Sequence, residues 1–153
     1  MSEQVSVSRE ITASPQQVWA LVSDVTRMGE WSPENEGGTW IGDATGPALG
    51  ARFKASNRNG TKRWETQAEV VAADPGEVFA FRVSVKGFKV AEWRYTLTPT
   101  ATGCTVEETW TDERGRLATM LGKPVSGVAD RASHNRAGME QTLDALKAAA
   151  EGA

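Results

Sequence analysis

The sequence is nearly devoid of cysteine and histidine: Cys104 and His134 are the single residues of each type among 153. A lone cysteine cannot form a disulfide within the chain, which agrees with a reducing compartment. One cysteine and one histidine also supply too few ligands for a metal cluster and no nucleophile paired with its base. A G-x-S-x-G motif and a phosphate-binding glycine loop are missing as well. We therefore expect neither a metal nor another cofactor.

The chain also lacks a strong excess of charge and any long apolar run. Its 20 acidic and 17 basic residues give a formal net charge of −3, and no Lys/Arg block stands out. We therefore expect no electrostatic binding of nucleic acid or of an anionic bilayer. No segment is apolar for long enough to span a membrane, and the N-terminus lacks a basic run followed by an apolar core. These absences predict a cytoplasmic protein without stable membrane insertion.

The first third of the chain predicts one strand and two short helices. Alternating apolar residues indicate a strand over residues 4–12. Ser14 is placed to cap the next helix, with Pro15 in its first turn and Gln17 completing a capping box. A second short helix is predicted to follow, through Gly29.

Beyond Pro33 the apolar period changes from about four residues to two. Strands are predicted at 37–42 and 50–57, and Asn59-Gly60 is a strong signal for a tight hairpin because both residues tolerate positive φ. Further strands follow between Gly-containing turns. The inward-facing rows of these later strands are Trp64, Thr66, Ala68 and Val70; Phe79, Phe81, Val83 and Val85; Trp93, Tyr95 and Leu97; and Cys104, Val106, Glu108 and Trp110.

A long C-terminal helix is predicted over residues 128–150, after a short helical turn at 116–121. Its apolar stripe contains one polar residue, Asn135, and His134 is predicted to face solvent. The stripe comprises Val128, Ala132, Asn135, Met139, Leu143, Leu146 and Ala150. Together these elements predict an α+β fold, in which a curved seven-stranded antiparallel sheet wraps around the long helix and two short helices follow the first strand.

Several motifs, spread over the whole chain, carry a family resemblance. They are Ser14-Pro15-x-x-Val18-Trp19-x-Leu21-Val22-x-Asp24, Trp31-Ser32-Pro33-Glu34, Gly50-x-x-Phe53, Trp93-x-Tyr95-x-Leu97 and Arg136-x-Gly138-Met139. The chain resembles the START-like helix-grip superfamily, specifically the bacterial polyketide cyclase/dehydrase and lipid-transport family, often called SRPBCC. The resemblance implies a single helix-grip domain over residues 1–153. It also implies an apolar ligand, because members bind sterols, lipids, polyketides or plant hormones between sheet and helix, and some are enzymes.

Strand parity and this resemblance together select the candidate ligand-binding residues. These are Trp31, Trp40, Phe53, Trp64, Thr66, Phe81, Trp93, Tyr95, Glu108, Trp110, Asn135 and Met139. Large aromatic side chains line apolar pockets, but they also fill ordinary cores, and both interpretations apply here. Trp31 and Trp40 flank a loop, where they either border the cavity entrance or plug the space under the loop.

Glu108 is the strongest candidate for chemistry. A carboxyl group in an inward row needs a partner or a raised pKa, which suits it to acid/base catalysis with help from Tyr95, or to binding a hydroxylated ligand. The alternative is a satisfied internal pair, and a β-bulge would instead turn Glu107 inward. Asn135 is expected to face Glu108 across the cavity, or else to be a polar helix residue near its open end. Glu34 is expected either to pin its loop or to contact ligand.

Three functions are compatible with these residues. The first is a carrier or sensor of a small hydrophobic, lipid-like or polyketide-like molecule. The second is a polyketide cyclase, aromatase or dehydratase that uses Glu108 and Tyr95 as catalytic residues. The third is a non-catalytic protein-interaction module whose cavity is small or filled by tryptophans. Charges such as Lys62, Arg63 and Glu65 discourage strand-edge pairing, so we expect a monomer or a weak homodimer.

Overall fold

The computed structural model describes residues 3–114 and 131–152. The described chain contains one antiparallel sheet with the strand order β1-β7-β6-β5-β4-β3-β2. Its strands are β1 Gln4–Ile11, β2 Asn35–Ile41, β3 Arg52–Asn59, β4 Lys62–Asp74, β5 Val78–Val85, β6 Phe88–Pro99 and β7 Cys104–Asp112. The predicted fold class is thereby confirmed. The short helical turn at 116–121 and the stripe residue Val128 lie outside the described residues.

Two short helices follow β1, and their starts are set by local sequence. Helix α1, Pro15–Val22, begins after Ser14, whose hydroxyl accepts a 3.1 Å bond from the Gln17 amide. The Gln17 side chain returns a 3.0 Å bond from the Ser14 amide, so the predicted capping box is present. Asp24 then caps a 3₁₀ helix at Val25–Glu30. Helix α2, Arg131–Glu151, is the long C-terminal helix.

The hairpin between β3 and β4 turns one residue later than the sequence predicts. Asn59 and Lys62 are the last paired residues, so Gly60 and Thr61 form the turn. Gly60 has φ of 63°, whereas Asn59 does not adopt positive φ. Positive φ is therefore needed only at the first central position of this turn, as in type II′ hairpins, and Gly60 supplies it. The hairpin between β5 and β6 has positive φ at both Lys86 and Gly87.

The N-terminal and C-terminal halves of helix α2 have different packing environments. Its contacts are mainly with β1, and fewer reach β7 and α1. Toward its C-terminus, Leu143, Leu146 and Ala150 are buried in the hydrophobic core. Each fully buried leucine contributes roughly 1.5–3 kcal/mol through removal of apolar surface from water. The N-terminal half of α2 instead faces the middle strands across a hollow, because those strands curve away from the helix. None of the described helices is apolar over a long enough stretch to cross a membrane.

Candidate ligand cavity

A cavity of about 370 Å³ lies between the concave face of the sheet and the N-terminal half of α2. This volume falls within the range of roughly 300–1,000 Å³ that is usual for small-molecule sites. Ten of the twelve predicted ligand-binding residues line it: Phe53, Trp64, Thr66, Phe81, Trp93, Tyr95, Glu108, Trp110, Asn135 and Met139. Small side chains, Ala55, Ala68 and Ala91, also line it and leave the space open.

Trp31 and Trp40 do not line the cavity, and so the structure does not place them with the other ten residues. Trp31 is only 6% exposed and belongs to the hydrophobic core, with the Arg27 guanidinium 5.1 Å from its ring centroid. Trp40 packs edge-on against Phe53 at 5.6 Å. Both therefore support the wall and the loop from behind, which matches the plug alternative for Trp31.

Aromatic rings from adjacent strands form most of the apolar wall. Trp93 and Trp110 are direct cross-strand partners of β6 and β7, and both side chains reach the cavity. Phe53 and Phe81 meet edge to face at 5.3 Å. Such ring pairs stabilise each other beyond their area burial. The wall is thus a mostly apolar surface built from mutually packed aromatic rings.

Glu108 is the buried acid of this cavity, with 2% of its surface exposed. It lies opposite Tyr95 in the regular pairing of β6 and β7, and the Tyr95 hydroxyl donates a 3.0 Å hydrogen bond to Glu108 Oε2. Glu108 Oε1 is buried without a hydrogen-bond partner among the described residues. Since no bulge interrupts this pairing, Glu107 is exposed on the opposite face, and the register in which Glu107 would turn inward is wrong.

Burial controls the protonation of this pair. It raises the pKa of Glu108 to about 8, against the lowering effect of the hydrogen bond from Tyr95. Burial, together with the nearby Glu108 charge, also raises the pKa of the Tyr95 phenol well above its usual value. At neutral pH both groups are therefore mostly protonated. A neutral Glu108 can donate its proton, through a hydrogen bond or a full transfer, to a ligand atom in the cavity.

Several other polar side chains in the wall are hydrogen-bonded within the protein. Asn57 Nδ2 donates a 3.0 Å bond to Thr66 Oγ1, and the Thr142 hydroxyl donates a 2.9 Å bond to the Gly138 carbonyl. Asn135 Oδ1 accepts a 3.2 Å bond from Arg131 Nη1. Asn135 and Glu108 line the same cavity. Among the described residues, Glu108 Oε1 is the one buried side-chain oxygen or nitrogen atom that has no hydrogen-bond partner.

An ionic cluster joins the Trp-Ser-Pro-Glu loop to the start of α2. Glu34 Oε1 accepts a 2.7 Å bond from Arg131 Nη1, and Glu34 Oε2 lies 3.0 Å from His134 Nε2. The prediction that His134 faces solvent is wrong, because its ring turns to Glu34 and contributes to the cavity lining. Pro33 packs against Gly138, where an added Cβ would lie 3.4 Å from the proline ring. We call Glu34, Arg131 and His134 the latch.

Sequence reasoning missed Arg131 and Arg114 as cavity residues. The spacing of Arg131, His134 and Asn135 is that of neighbours on one helix face and is the signal that could have found the latch. Arg114 gave no comparable signal, because its place depends on the end of β7. There its guanidinium Nη2 lies 2.8 Å from Asp112 Oδ2. Burial opposes the charge on Asp112, but the bonds from Arg114 outweigh it and lower the pKa of Asp112.

The sheet, the long C-terminal helix and the cavity between them define the START-like helix-grip fold. Residues 2–151 match the family described as "Polyketide cyclase / dehydrase and lipid transport". The chain belongs to this family. A comparison with curated protein sequences gives no significant match.

Solved structures support the same assignment. A polyketide-cyclase-like protein from Corynebacterium glutamicum is 30% identical, with 96% of this chain and 90% of that chain covered and a TM-score of 0.65. A START superfamily protein from Mycobacterium smegmatis is 17% identical, with 97% of each chain covered and a TM-score of 0.74. The di-domain ARO/CYC protein StfQ of the steffimycin pathway is 15% identical over 99% of this chain and 51% of that chain, with a TM-score of 0.76. The last two likenesses show the fold alone.

Proposed function

We propose that this protein binds a small hydrophobic molecule, lipid-like or polyketide-like, as a carrier or sensor. The observation that carries the proposal is the aromatic-walled cavity of about 370 Å³ with one unpartnered acid oxygen inside it. An apolar wall stabilises an apolar ligand by removing its surface from water, and a few polar groups set its orientation. Family membership supports the same role.

The unpartnered Glu108 oxygen also indicates what kind of ligand fits the cavity. A buried acid oxygen without a partner is costly, and a ligand atom that hydrogen-bonds to it removes that cost. With Glu108 protonated, the complementary ligand atom is an acceptor such as a carbonyl or hydroxyl oxygen. We therefore propose an apolar molecule with an oxygen at the end that lies deepest in the cavity.

Two measurements test ligand binding. Native mass spectrometry of the freshly purified protein is expected to show a co-purified small molecule. Titration with the neutral apolar fluorophore N-phenyl-1-naphthylamine is expected to quench tryptophan emission, with the effect reduced in Trp93→Phe. Trp19→Phe is the matched control, since Trp19 does not line the cavity and its Nε1 donates a 2.8 Å bond to the Val78 carbonyl. No adduct and no quenching would contradict the proposal.

A second candidate function is catalysis on a polyketide-like substrate, favoured by the protonated Glu108–Tyr95 pair. In a cyclase or dehydratase, Glu108 would protonate a carbonyl or a leaving hydroxyl, and the resulting carboxylate would accept a proton from the neighbouring carbon. Tyr95 would stabilise that carboxylate through its hydrogen bond. Glu108→Gln is expected to abolish turnover of a poly-β-keto substrate while fluorophore affinity is kept, and exposed Glu107→Gln is the control. Full activity in Glu108→Gln excludes this mechanism.

The interaction-module alternative receives less support. It predicts a cavity that is small or filled by its own tryptophans. Trp64, Trp93 and Trp110 instead stand around an open space of about 370 Å³.

A further inference from the structure

Two neighbouring hairpins bring five exposed cationic side chains to one end of the sheet. Arg58, Lys62 and Arg63 belong to the β3–β4 hairpin, and Lys86 and Lys89 to the β5–β6 hairpin. Among the described residues, no carboxylate forms an ion pair with any of them. We call these five side chains the basic tip.

The basic tip includes a like-charge pair. Arg58 and Arg63 are direct cross-strand partners, and their side chains therefore share one face of the hairpin. Like charges placed directly opposite each other destabilise a strand pair. The Arg58 Nε–H bonds to the Gly60 carbonyl at 2.9 Å, which holds the side chain at the turn without neutralising it. An anionic surface placed against the tip would relieve this repulsion.

The two hairpins are close enough to act together. Gln67 of β4 pairs with Ser84 of β5, which places Lys86 two residues beyond that rung and Lys62 five residues beyond it. The β3–β4 turn thus projects about 10 Å further than the β5–β6 turn, at roughly 3.3 Å per residue. This offset is comparable to the screening length at physiological ionic strength, so the charges add in their effect on a nearby surface.

An exposed aromatic residue lies among these charges. Phe88 is 77% exposed and sits directly after the Lys86-Gly87 turn, beside Lys89. Phe88 and Lys89 also line the cavity, so the cavity reaches the protein surface at this tip. The apolar interior therefore continues through Phe88 to a rim where Lys89 supplies a positive charge. A partner that fits this rim must offer anionic groups and an apolar layer immediately behind them.

The overall charge of the chain predicts no electrostatic binding to an anionic bilayer, but these five cations are concentrated at one end of the sheet. From this arrangement we infer that the basic tip docks on an anionic phospholipid surface. With the bilayer plane inclined to the strands so that it meets both hairpin tips, the phosphate groups contact the five cations while Phe88 enters the apolar boundary below the headgroups. The cavity opening then faces the bilayer, and an apolar ligand passes between bilayer and cavity without crossing water. Docking in this form is reversible surface binding and not insertion. It goes beyond ligand binding and is tested without any ligand.

Flotation with vesicles tests the docking directly. The intact protein is expected to float with phosphatidylcholine vesicles that contain 30% phosphatidylglycerol and to remain behind with pure phosphatidylcholine. Raising the salt to 0.5 M is expected to release it, because screening shortens the reach of the charges. Each neutralised cation is expected to weaken vesicle binding about fivefold, from roughly 1 kcal/mol per basic residue near an anionic surface.

Matched variants distinguish the basic tip from general charge effects. Lys62→Gln/Arg63→Gln is expected to weaken vesicle binding roughly 25-fold, and Phe88→Ala is expected to weaken it with little change in salt dependence. The control Arg52→Gln/Lys54→Gln removes the same charge from the far part of β3, where Arg52 pairs with Gln67 and lies opposite Glu69. The control is expected to bind vesicles like the unchanged protein. Equal losses in both double variants would overturn the inference.

Two further outcomes would also overturn the docking inference. Failure of the unchanged protein to float with anionic vesicles overturns the docking inference. Tighter binding to a single-stranded RNA oligonucleotide than to anionic vesicles overturns it in favour of a nucleic-acid partner. Neither result bears on the cavity, because fluorophore quenching is measured without vesicles. Conversely, loss of quenching with intact flotation contradicts the proposed ligand binding and leaves the docking surface in place.

Discussion

The Tyr95 hydroxyl donates a 3.0 Å hydrogen bond to Glu108 Oε2 from the directly opposite position on the neighbouring strand. This bond occupies one carboxyl oxygen and leaves Oε1 for the cavity. Because Oε2 is held by Tyr95 and Oε1 is free, a proton on Glu108 is donated from Oε1. The site's chemistry and its pH dependence both follow from this pair.

Replacing Glu108 is expected to remove a pH dependence of stability. The folded-state pKa is raised from 4.5 to about 8, so the folded protein binds more protons than the unfolded chain within that window. Stability therefore falls as pH rises through the window, by up to about 1.4 kcal/mol per pH unit from this group. Glu108→Gln should lack this slope in urea unfolding at pH 5, 7 and 9. Glu107→Gln should retain it, and an unchanged slope in Glu108→Gln contradicts the assignment.

Replacing Tyr95 with phenylalanine is expected to raise the pKa of Glu108 further above 8. The hydrogen bond from Tyr95 lowers that pKa, and its loss leaves the acid with burial alone. The free energy of unfolding should fall by about 1–3 kcal/mol, because a buried acceptor loses its partner. Carbon-13 NMR titration of the Glu108 carboxyl measures the shift. A pKa that stays the same or falls in Tyr95→Phe shows that the bond does not stabilise the carboxylate.

Opening the latch is expected to loosen the Trp-Ser-Pro-Glu loop. Glu34→Ala removes the carboxylate that pairs with Arg131, whose side chain is 12% exposed and keeps its bond to Asn135. We expect a loss of about 1–3 kcal/mol in unfolding free energy. Amide hydrogen exchange should also become faster around residues 32–36. Exposed Glu36→Ala is the control, and equal effects in the two variants would show that the latch is unimportant.

Filling the cavity is expected to reduce ligand affinity without unfolding the protein. Ala55 is buried and lines the cavity, so Ala55→Leu places apolar atoms in open space. N-phenyl-1-naphthylamine should bind at least about tenfold more weakly, because the leucine side chain occupies space that the probe would fill. A tenfold loss of affinity corresponds to about 1.4 kcal/mol of binding free energy. Ala80→Leu is the contrast, since Ala80 is fully buried outside the cavity and overpacking there should cost about 1–3 kcal/mol of stability. Unchanged fluorophore affinity in Ala55→Leu means that the probe binds elsewhere.

Much of the fold could be predicted because its signals are local. Ser14 and Gln17 are three residues apart, and their two bonds need nothing beyond one helical turn. Alternation along β7 placed Glu108 inward and Glu107 outward, since strand side chains alternate by geometry. The hairpin prediction failed by one residue, because cross-strand pairing of Asn59 with Lys62 decides where the turn begins.

The candidate site likewise has a part set by local sequence signals and a part set by tertiary packing. The sequence by itself determined the strand faces, the helix stripe and hence ten of the cavity residues, because side-chain direction follows backbone periodicity. Only the tertiary structure decided the latch and the basic tip: Glu34 and Arg131 are 97 positions apart, and Lys62 and Lys86 belong to different hairpins. Their proximity is a property of strand order and helix docking. No periodicity in the chain encodes such distances, since they depend on how the curved sheet and α2 pack against each other.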